Sequence, residues 1–514
     1  MPTGEFPREP NLEHLRNQAK VLRRRVLAGD SAARELVLEF HPRLAGADAR
    51  ALAAVTLADA QLVIARQYGF GSWPKLRRHV EVVTRYARSP HRAPAGGPVT
   101  TEGARAEEFL RLACLTYGGD NAARRERARE LLAAHPDIAT ASIHTMAAVG
   151  DVTAAAALLA DDPAQASAPG GPHDWEPLLY LAYSRLDSTA AGHSTLEVAR
   201  LLLASGADPN AGYLWEGTYP FTALTGALGE GEDVVHQPRH QFWLPLARLL
   251  LDAGADPNDS QGLYNRMFAA SDDHLRLLFS YGLGSGTGGP WYARLGSALP
   301  SPAQMLQDQL LWAAEHNLVA RVTLLLAHGV DPDGLGFWFT GTERRTAYQR
   351  AVLAGNTEVA KLLLAAGARR TALDPAQEFI SACLSVDRQR VDELVTADPA
   401  VVRQAIAAEP AAILRATELR RPDAIRLLAE LGFDVNAAQR ISALHQAAMD
   451  AGGLAMVDLL LSLGADPNQR DRTFDSTPLG WAEHFHHQQI IDRLTPVTEP
   501  SPDRGPGPED TRPS

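Results

Sequence analysis

Four short stretches of the chain concentrate its aromatic side chains. Tyr213, Trp215, Tyr219 and Phe221 fall within nine residues, and Phe242-Trp243, Trp291-Tyr292 and Phe337-Trp338-Phe339 supply the rest of the set. These stretches hold eleven of the 33 aromatics in the chain. Aromatic rings on loops offer large contact area at low entropic cost and dominate binding hot spots. The eleven residues are therefore the candidate partner-binding set. The competing expectation is that the loops fold back and their rings form a local core. Trp175 reads as structural.

Other residue types offer less. His484, His486 and His487 sit in WAEHFHHQQIIDRL, read as the last helix. There His484 and His487 would share a face at i, i+3, but no third metal ligand is evident, so a solvated face is expected. His236 and His240, beside the second aromatic stretch, or the C-terminal histidines, raise a second reading: a small-molecule or catalytic site in an aromatic-lined pocket made by the insertions. That reading needs convergent polar groups, which the sequence does not place. Asp161-Asp162 and Asp272-Asp273 are neighbours at turns and read as helix caps. No nucleophile elbow, phosphate loop, dinucleotide fingerprint or metalloprotease motif occurs. No enzymatic activity, cofactor or metal is expected.

The chain has 514 residues, 45% apolar and 21% charged, enough for a large buried core. Its two cysteines, Cys114 and Cys383, exclude a disulfide framework and a zinc cluster. They read as buried apolar residues in a reducing compartment. Met1–Lys20 lacks a secretory apolar run, and no stretch of 18 apolar residues occurs, so the expected location is the cytoplasm. The net charge of −12 is uneven: residues 1–92 carry +7 and the remainder −19. The acidic body should repel nucleic acid and acidic membranes. The basic residues Arg16, Lys20, Arg23, Arg24, Arg25, Lys75, Arg77 and Arg78 open a third reading, nucleic-acid binding by residues 8–88. Without aromatic interleaving or a known motif, a solvated face that docks on the acidic body is the expected role.

One phrase positions all of these residues. A leucine-rich helix end, a glycine and an Asp-Pro-Asn-like turn recur as LLLASGADPN at 201–210, LLLDAGADPN at 249–258 and LLFSYGLGSG at 277–286. They return as LLLAHGVDPD at 324–333, LLLAAGARRT at 362–371, LLAELGFDVN at 427–436 and LLLSLGADPN at 459–468. Variants that end on proline occur at 131–137, 158–164 and 394–400, which makes ten copies. The leucines cover a helix face. The glycine takes the left-handed conformation that ends a helix, and Asp-Pro blocks continuation. A second phrase opens the preceding helix: Thr477-Pro478-Leu479, with weaker copies at Ser442-Ala443-Leu444-His445, Thr346-Ala347-Tyr348, Thr222-Ala223-Leu224 and Glu176-Pro177-Leu178.

By these phrases residues 105–494 resemble the ankyrin-repeat family. The resemblance implies stacked helix pairs joined by projecting finger loops, with a concave face made by first helices and fingers. It implies structural roles for Gly206, Gly254, Gly329, Gly367, Gly432 and Gly464, and an inter-repeat hydrogen bond for His445. With Gly282 the seven glycines of the phrase are separated by 48, 28, 47, 38, 65 and 32 residues, against a family period of about 33. The 65 is two repeats, and the 48 and 47 need insertions of about 15 residues each. Arg369-Arg370 replaces Asp-Pro after Gly367.

The reading is an all-α chain: a basic helical N-terminal domain (1–88), a linker (89–100), an ankyrin-like solenoid of about ten or eleven helix pairs (101–494) and a disordered tail (495–514) with six prolines. In the first domain Leu12, Leu15, Ala19, Leu22 and Val26 form an apolar stripe. Thr56 starts a helix that Gly69 ends, and Ser72 caps another. LADAQLVIARQYGFGSWPKL at 57–76 resembles the helical segment that accompanies ankyrin arrays in some bacterial proteins, and no activity follows from that. The repeat architecture, acidic body and aromatic fingers point to a non-enzymatic scaffold that binds a protein or peptide on its concave face and fingers, and a monomer is the favoured state. Nucleic acid and membrane are not expected as partners.

Overall fold

The computed structural model describes residues 6–7, 10–92, 101–186, 192–338, 344–450 and 452–499. Phe339, residues 93–100 of the expected linker and the tail beyond 499 lie outside the described residues. Within them are 29 α-helices and three short strands. None of these helices is long and apolar enough to cross a membrane.

The pair Ala443–Met449 and Leu454–Ser462 shows how the sequence builds one repeat. The Ser442 hydroxyl meets His445 Nδ1 at 2.7 Å, which closes the helix start. The other ring nitrogen, Nε2, lies 3.0 Å from the Ser476 carbonyl in the next finger, the inter-repeat link expected of His445. Val457, Leu459 and Leu460 bury one face of the second helix. Gly464 ends the helix at φ +90°. Nothing lies within 4 Å of the Cβ it lacks, so conformation and not space demands glycine there. The Ala465 amide then donates to the Leu460 carbonyl.

The Asp-Pro-Asn turn does more than stop the helix. Asp466 accepts from the Asn468 amide at 2.8 Å. The Asn436 carboxamide, from the repeat before, accepts from the Asp466 amide at 2.7 Å and donates to the Gly464 carbonyl at 3.1 Å. Asn210 makes the same two bonds to Asp256 and Gly254, at 2.9 and 3.0 Å. A local turn residue thus ties one finger to the next at both places. Arg369, standing where Asp-Pro is lost, instead holds Asp333 of the preceding finger through its amide and guanidinium.

Eleven such pairs occur among the described residues. The chain divides into two compact units, one from Met1–Phe268 and His274–Ser301, the other from Ala269–Asp273 and Pro302–Ser514. The second unit carries six pairs, from Pro302–Glu315 with Val319–Ala327 to Pro478–His484 with Gln488–Leu494. One helix outside the pairs, Val401–Ala408, also belongs to it.

The first unit opens with five helices, Leu12–Leu27 to Trp73–Tyr86. Leu15, Ala19, Leu22 and Val26 are buried as their spacing requires. They join Val37, Phe40, Val63, Ile64, Leu76 and Val80 in one core. A Thr56–Asp59 capping box and Ser72 start the last two helices. After them strand β1 (Ala87–Arg88) runs parallel to β2 (Gly212–Trp215), which pairs antiparallel with β3 (Tyr219–Thr222). This finger hairpin is the departure from a purely helical fold.

In six of the pairs the turn between the helices uses a left-handed residue. Gly150 and Gly355 supply it at φ +84° and +67°, but Asn317, Val386, Arg420 and His486 adopt φ +57°, +58°, +54° and +56°. His486 corrects the sequence reading. The helix stops at His484, and His487 starts the next helix, with its Nδ1 on the Ala448 carbonyl at 3.0 Å. His484 and His487 therefore share no helix face.

A β-branched side chain is the most strained of these. Val386→Asn should raise unfolding stability by about 1 kcal/mol in a denaturant titration, because asparagine visits this conformation readily; a lower stability would contradict the strain. Leu202 and Leu460 are fully buried. Leu202→Ala or Leu460→Ala should each cost about 2–5 kcal/mol, and a melt unchanged from wild type would contradict their packing role.

Candidate interaction surface

The aromatic fingers divide between core and surface. In the first unit they fold inward. Tyr213 and Phe221 are 2% and 3% exposed, and Trp291 is 7% exposed. Tyr213 stacks on Trp175 at 4.8 Å and lies near Tyr183 and Phe221. Tyr117, 104 residues before Phe221 in sequence, meets that ring edge-on at 4.7 Å. The Tyr183 hydroxyl donates to the Thr222 carbonyl at 2.9 Å. Hence Tyr213, Phe221 and Trp291 are core residues and not contact residues, because the hairpin lies against the first helices of its own unit. Trp175, 1% exposed, is structural as expected.

The other rings are half-buried. Trp215 donates from Nε1 to the Thr116 carbonyl at 3.0 Å and stacks on His91. Tyr219 lies beside Trp215. Tyr292 packs against the small core of Val83, Leu214, Trp291, Leu295 and Leu299. The Arg239 guanidinium lies over Trp243, and Phe242 lies by His240. In the second unit, Asp308 accepts from the amides of Phe337 and Trp338 at 2.9 and 3.2 Å, which fixes that finger.

Buried charges hold the inserted loops of the first unit. The Arg185 side chain donates to the carbonyls of Ala182, Ser184, Gly226 and Pro238. It thereby closes two helix C-termini, where carbonyls lack partners and cations are favoured. Glu230 sits between Arg239 and the fully buried Arg266. Asp259 accepts from Thr222, Thr225 and the Gly262 amide, while burial pushes its carboxyl upward. His236 and His240, proposed for a pocket, belong to this packing. His236 Nδ1 lies 2.9 Å from Asp233, and His240 Nδ1 accepts from the Phe242 amide, its basicity pushed down to about 3 by burial. Asp272, read as a cap, is instead the counter-ion of buried Arg321. Asp162 is a cap, as read, accepting from Ala164. The thiols of Cys114 and Cys383 are buried and pushed up to about 12.

The basic N-terminal face divides. Arg16, Lys20 and Arg24 are exposed. Arg23 reaches the Val55 carbonyl, Arg25 pairs with Asp30 and Arg77 with Glu81. Arg78 contacts the repeats, at the Ala293 carbonyl.

The second unit presents a different surface. Trp312, Arg350, Ser381, Arg415, Gln446 and Trp481 occupy the same position in six successive first helices, and all are half-buried. Trp312 stacks on His316 at 3.7 Å. Glu315 pairs with Arg350 and lies 3.9 Å from Arg415, which also binds Glu409 at 2.8 Å. Trp481 donates to Asp471 at 3.0 Å. Counting four residues on from each capping Ser or Thr would have found Arg350, Gln446 and Trp481. The buried Arg185, Arg266 and Arg321 carry no such signal in local residue pattern.

Residues 439–472 match the family model for the ankyrin repeat. They contain the helix pair, the His445 link and the Gly464 ending described above. Among solved structures, the ankyrin repeat domain of Bcl-3, a member of the IkappaB protein family, is similar at 24% identity with a TM-score of 0.22. The match covers 37% of this chain and 85% of that one. No curated protein matches. The chain is an all-α helical-repeat protein that contains an ankyrin repeat.

Glu176 gives this region a pH dependence. Burial, and then Asp208, push its carboxyl up to about 7, and its Oε2 is enclosed without a hydrogen-bond partner. A folded-state value above the unfolded one means that the unfolded chain ionises first, so stability is lost as pH rises from about 4.5 to above 7. Glu176→Gln should leave stability unchanged at pH 4 and raise it on the order of 1 kcal/mol at pH 8. A variant equally stable to wild type at both pH values would contradict the buried carboxyl.

Proposed function

We propose that the chain is a non-enzymatic scaffold that holds a protein or peptide partner against the first helices and fingers of its repeats. Ankyrin repeats are generally protein–protein interaction modules, and residues 439–472 match that family. The observation that carries the reading is the repeated half-buried row in the second unit, with Trp312 and Trp481 at its ends and Arg350 and Arg415 between. Large amphipathic side chains and arginines, left partly accessible, are the residue types of interaction hot spots. Fingers displaying Phe337 and Trp338 extend the same surface. Two buried free thiols suit a reducing compartment, and we place the chain in the cytoplasm as a monomer.

His236 and His240, which motivated a catalytic pocket, are spent on internal hydrogen bonds. The scaffold reading therefore takes its contact residues from Trp312, Trp338, Arg350, Arg415 and Trp481, with Trp215 and Tyr219 among the rings of the first unit that keep some exposure. The test is affinity capture on the intact chain, identification of the retained protein, and titration of it against Trp312→Ala/Trp338→Ala. Binding should weaken by at least about tenfold, a loss of about 1.4 kcal/mol, at an unchanged melting temperature. Unchanged affinity in a folded double variant would contradict this surface.

A further inference from the structure

Residues 87–92 (ARSPHR) lie just beyond the helices of the N-terminal domain, and their contacts are of a different kind from the rest of it. The core of that domain is made by residues 15–80 and includes none of them. Ala87 and Arg88 run as a two-residue strand along the edge of the finger hairpin, and Pro90–Arg92 follow as one 3-10 turn. Ala87 and Arg88 pair with Leu214 and Trp215, and the Glu216 amide donates to the Arg88 carbonyl at 3.3 Å. Arg88 forms an ion pair with Asp174. Pro90 is buried. The His91 ring stacks on Trp215 at 4.7 Å, and its Nε2 lies 3.2 Å from Glu216. Arg92 meets the same carboxylate at 2.8 Å. Gly118 forms the floor, since a Cβ there would stand 2.5 Å from His91 Cβ.

One side of this contact is thus acidic and aromatic, from Asp174, Trp215 and Glu216. The other is basic, from Arg88 in the strand and His91 and Arg92 in the turn after it. We infer that residues 87–92 are a ligand supplied in cis, and that the hairpin edge is a receptor for a basic, extended peptide segment of a partner, which adds as a strand in their place. Strand addition draws affinity from main-chain bonds and specificity from side-chain pockets, and both are present here. The net charge of −19 on the chain beyond residue 92 favours the same partner chemistry.

The cis contact is built to be exchanged. It has only two paired backbone positions. Each arginine ion pair has one exposed member, Arg92 at 57% and Asp174 at 61%, against partners at 15% and 26%, and half-exposed pairs of this kind contribute modestly. Tethering raises the effective concentration of a segment to the millimolar range, so a weak segment stays in place until a tighter one competes. The domain remains docked meanwhile through Val83 and Tyr86, which pack with Leu214, Trp291 and Leu295. This inference rests on the reading of the repeats as a peptide-holding scaffold and adds the partner's chemistry.

The probe is a fluorescein-labelled peptide of residues 85–92, RYARSPHR, titrated against the intact chain and against full-length Arg88→Ala/His91→Ala/Arg92→Ala. The substituted chain should bind at least about tenfold more tightly than wild type. Binding should weaken with salt, and it should be lost when Asp174→Asn and Glu216→Gln are added. No binding to a substituted chain that melts as wild type does would overturn the inference, as would binding that survives loss of both carboxylates. Hydrogen exchange on the unaltered chain gives a second measurement. The Glu216 amide should exchange at least about tenfold faster than amides paired between β2 and β3, since the segment opens before the hairpin does. Equal rates would overturn the inference. Failure of the peptide while the scaffold still captures its partner removes the cis ligand alone; peptide binding without partner capture supports it.

Discussion

A pair of helices of seven to ten residues cannot bury its own leucines. Ala443–Met449 and Leu454–Ser462 leave Leu444, Val457 and Leu460 without cover unless the neighbouring pairs supply it, and in the structure those side chains belong to one continuous cluster from Phe379 to Leu494. That dependence on neighbours governs everything else in the fold. It explains why the helix-ending glycines recur, why asparagines reach across to the next finger, and why His445 bonds to a carbonyl of the repeat that follows. Each of these devices fixes the angle at which one pair meets the next, and the leucines do the rest.

The two units meet this constraint differently. In the second, turns inside the pairs are short, and first helices leave a half-exposed position open along their length. In the first, long insertions after the first helices and a hairpin finger cover that same face. Covering it requires polar backbone to be satisfied away from water, and buried Arg185, Arg266 and Asp259 do this with side-chain bonds to carbonyls, carboxylates and hydroxyls. Aromatic rings fill the remaining space, so a cluster of Tyr, Trp and Phe that looks like a binding surface in composition becomes core in three dimensions. What the first unit leaves accessible is the hairpin edge, and there it lays down its own residues 87–92.

Sequence reading recovered what is decided locally. Every glycine expected to end a helix has a positive φ, and the caps at Thr56, Ser72, Thr222, Thr346 and Thr477 are made. These depend on a few adjacent residues, and glycine or threonine in that pattern has one physical use. The fate of the aromatic loops was not legible, because Tyr213 is buried by Trp175 and Tyr183 and Phe221 by Tyr117, contacts set by tertiary structure. Nor was the break at His486 legible: WAEHFHHQQIIDRL has uniform helical character, and a left-handed histidine carries no signal in its residue type. Buried charges escaped for a related reason, since Asp272 and Arg321 are 49 residues apart.

A helix pair is ordered only through its neighbours. Native-state hydrogen exchange on the intact chain carrying Leu460→Ala tests this dependence most directly. Protection should fall together in Ala412–Glu418, Ala443–Met449 and Pro478–His484, because opening one pair uncovers the next. A loss confined to residues 443–462, with both adjacent pairs protected as in wild type, would contradict the account.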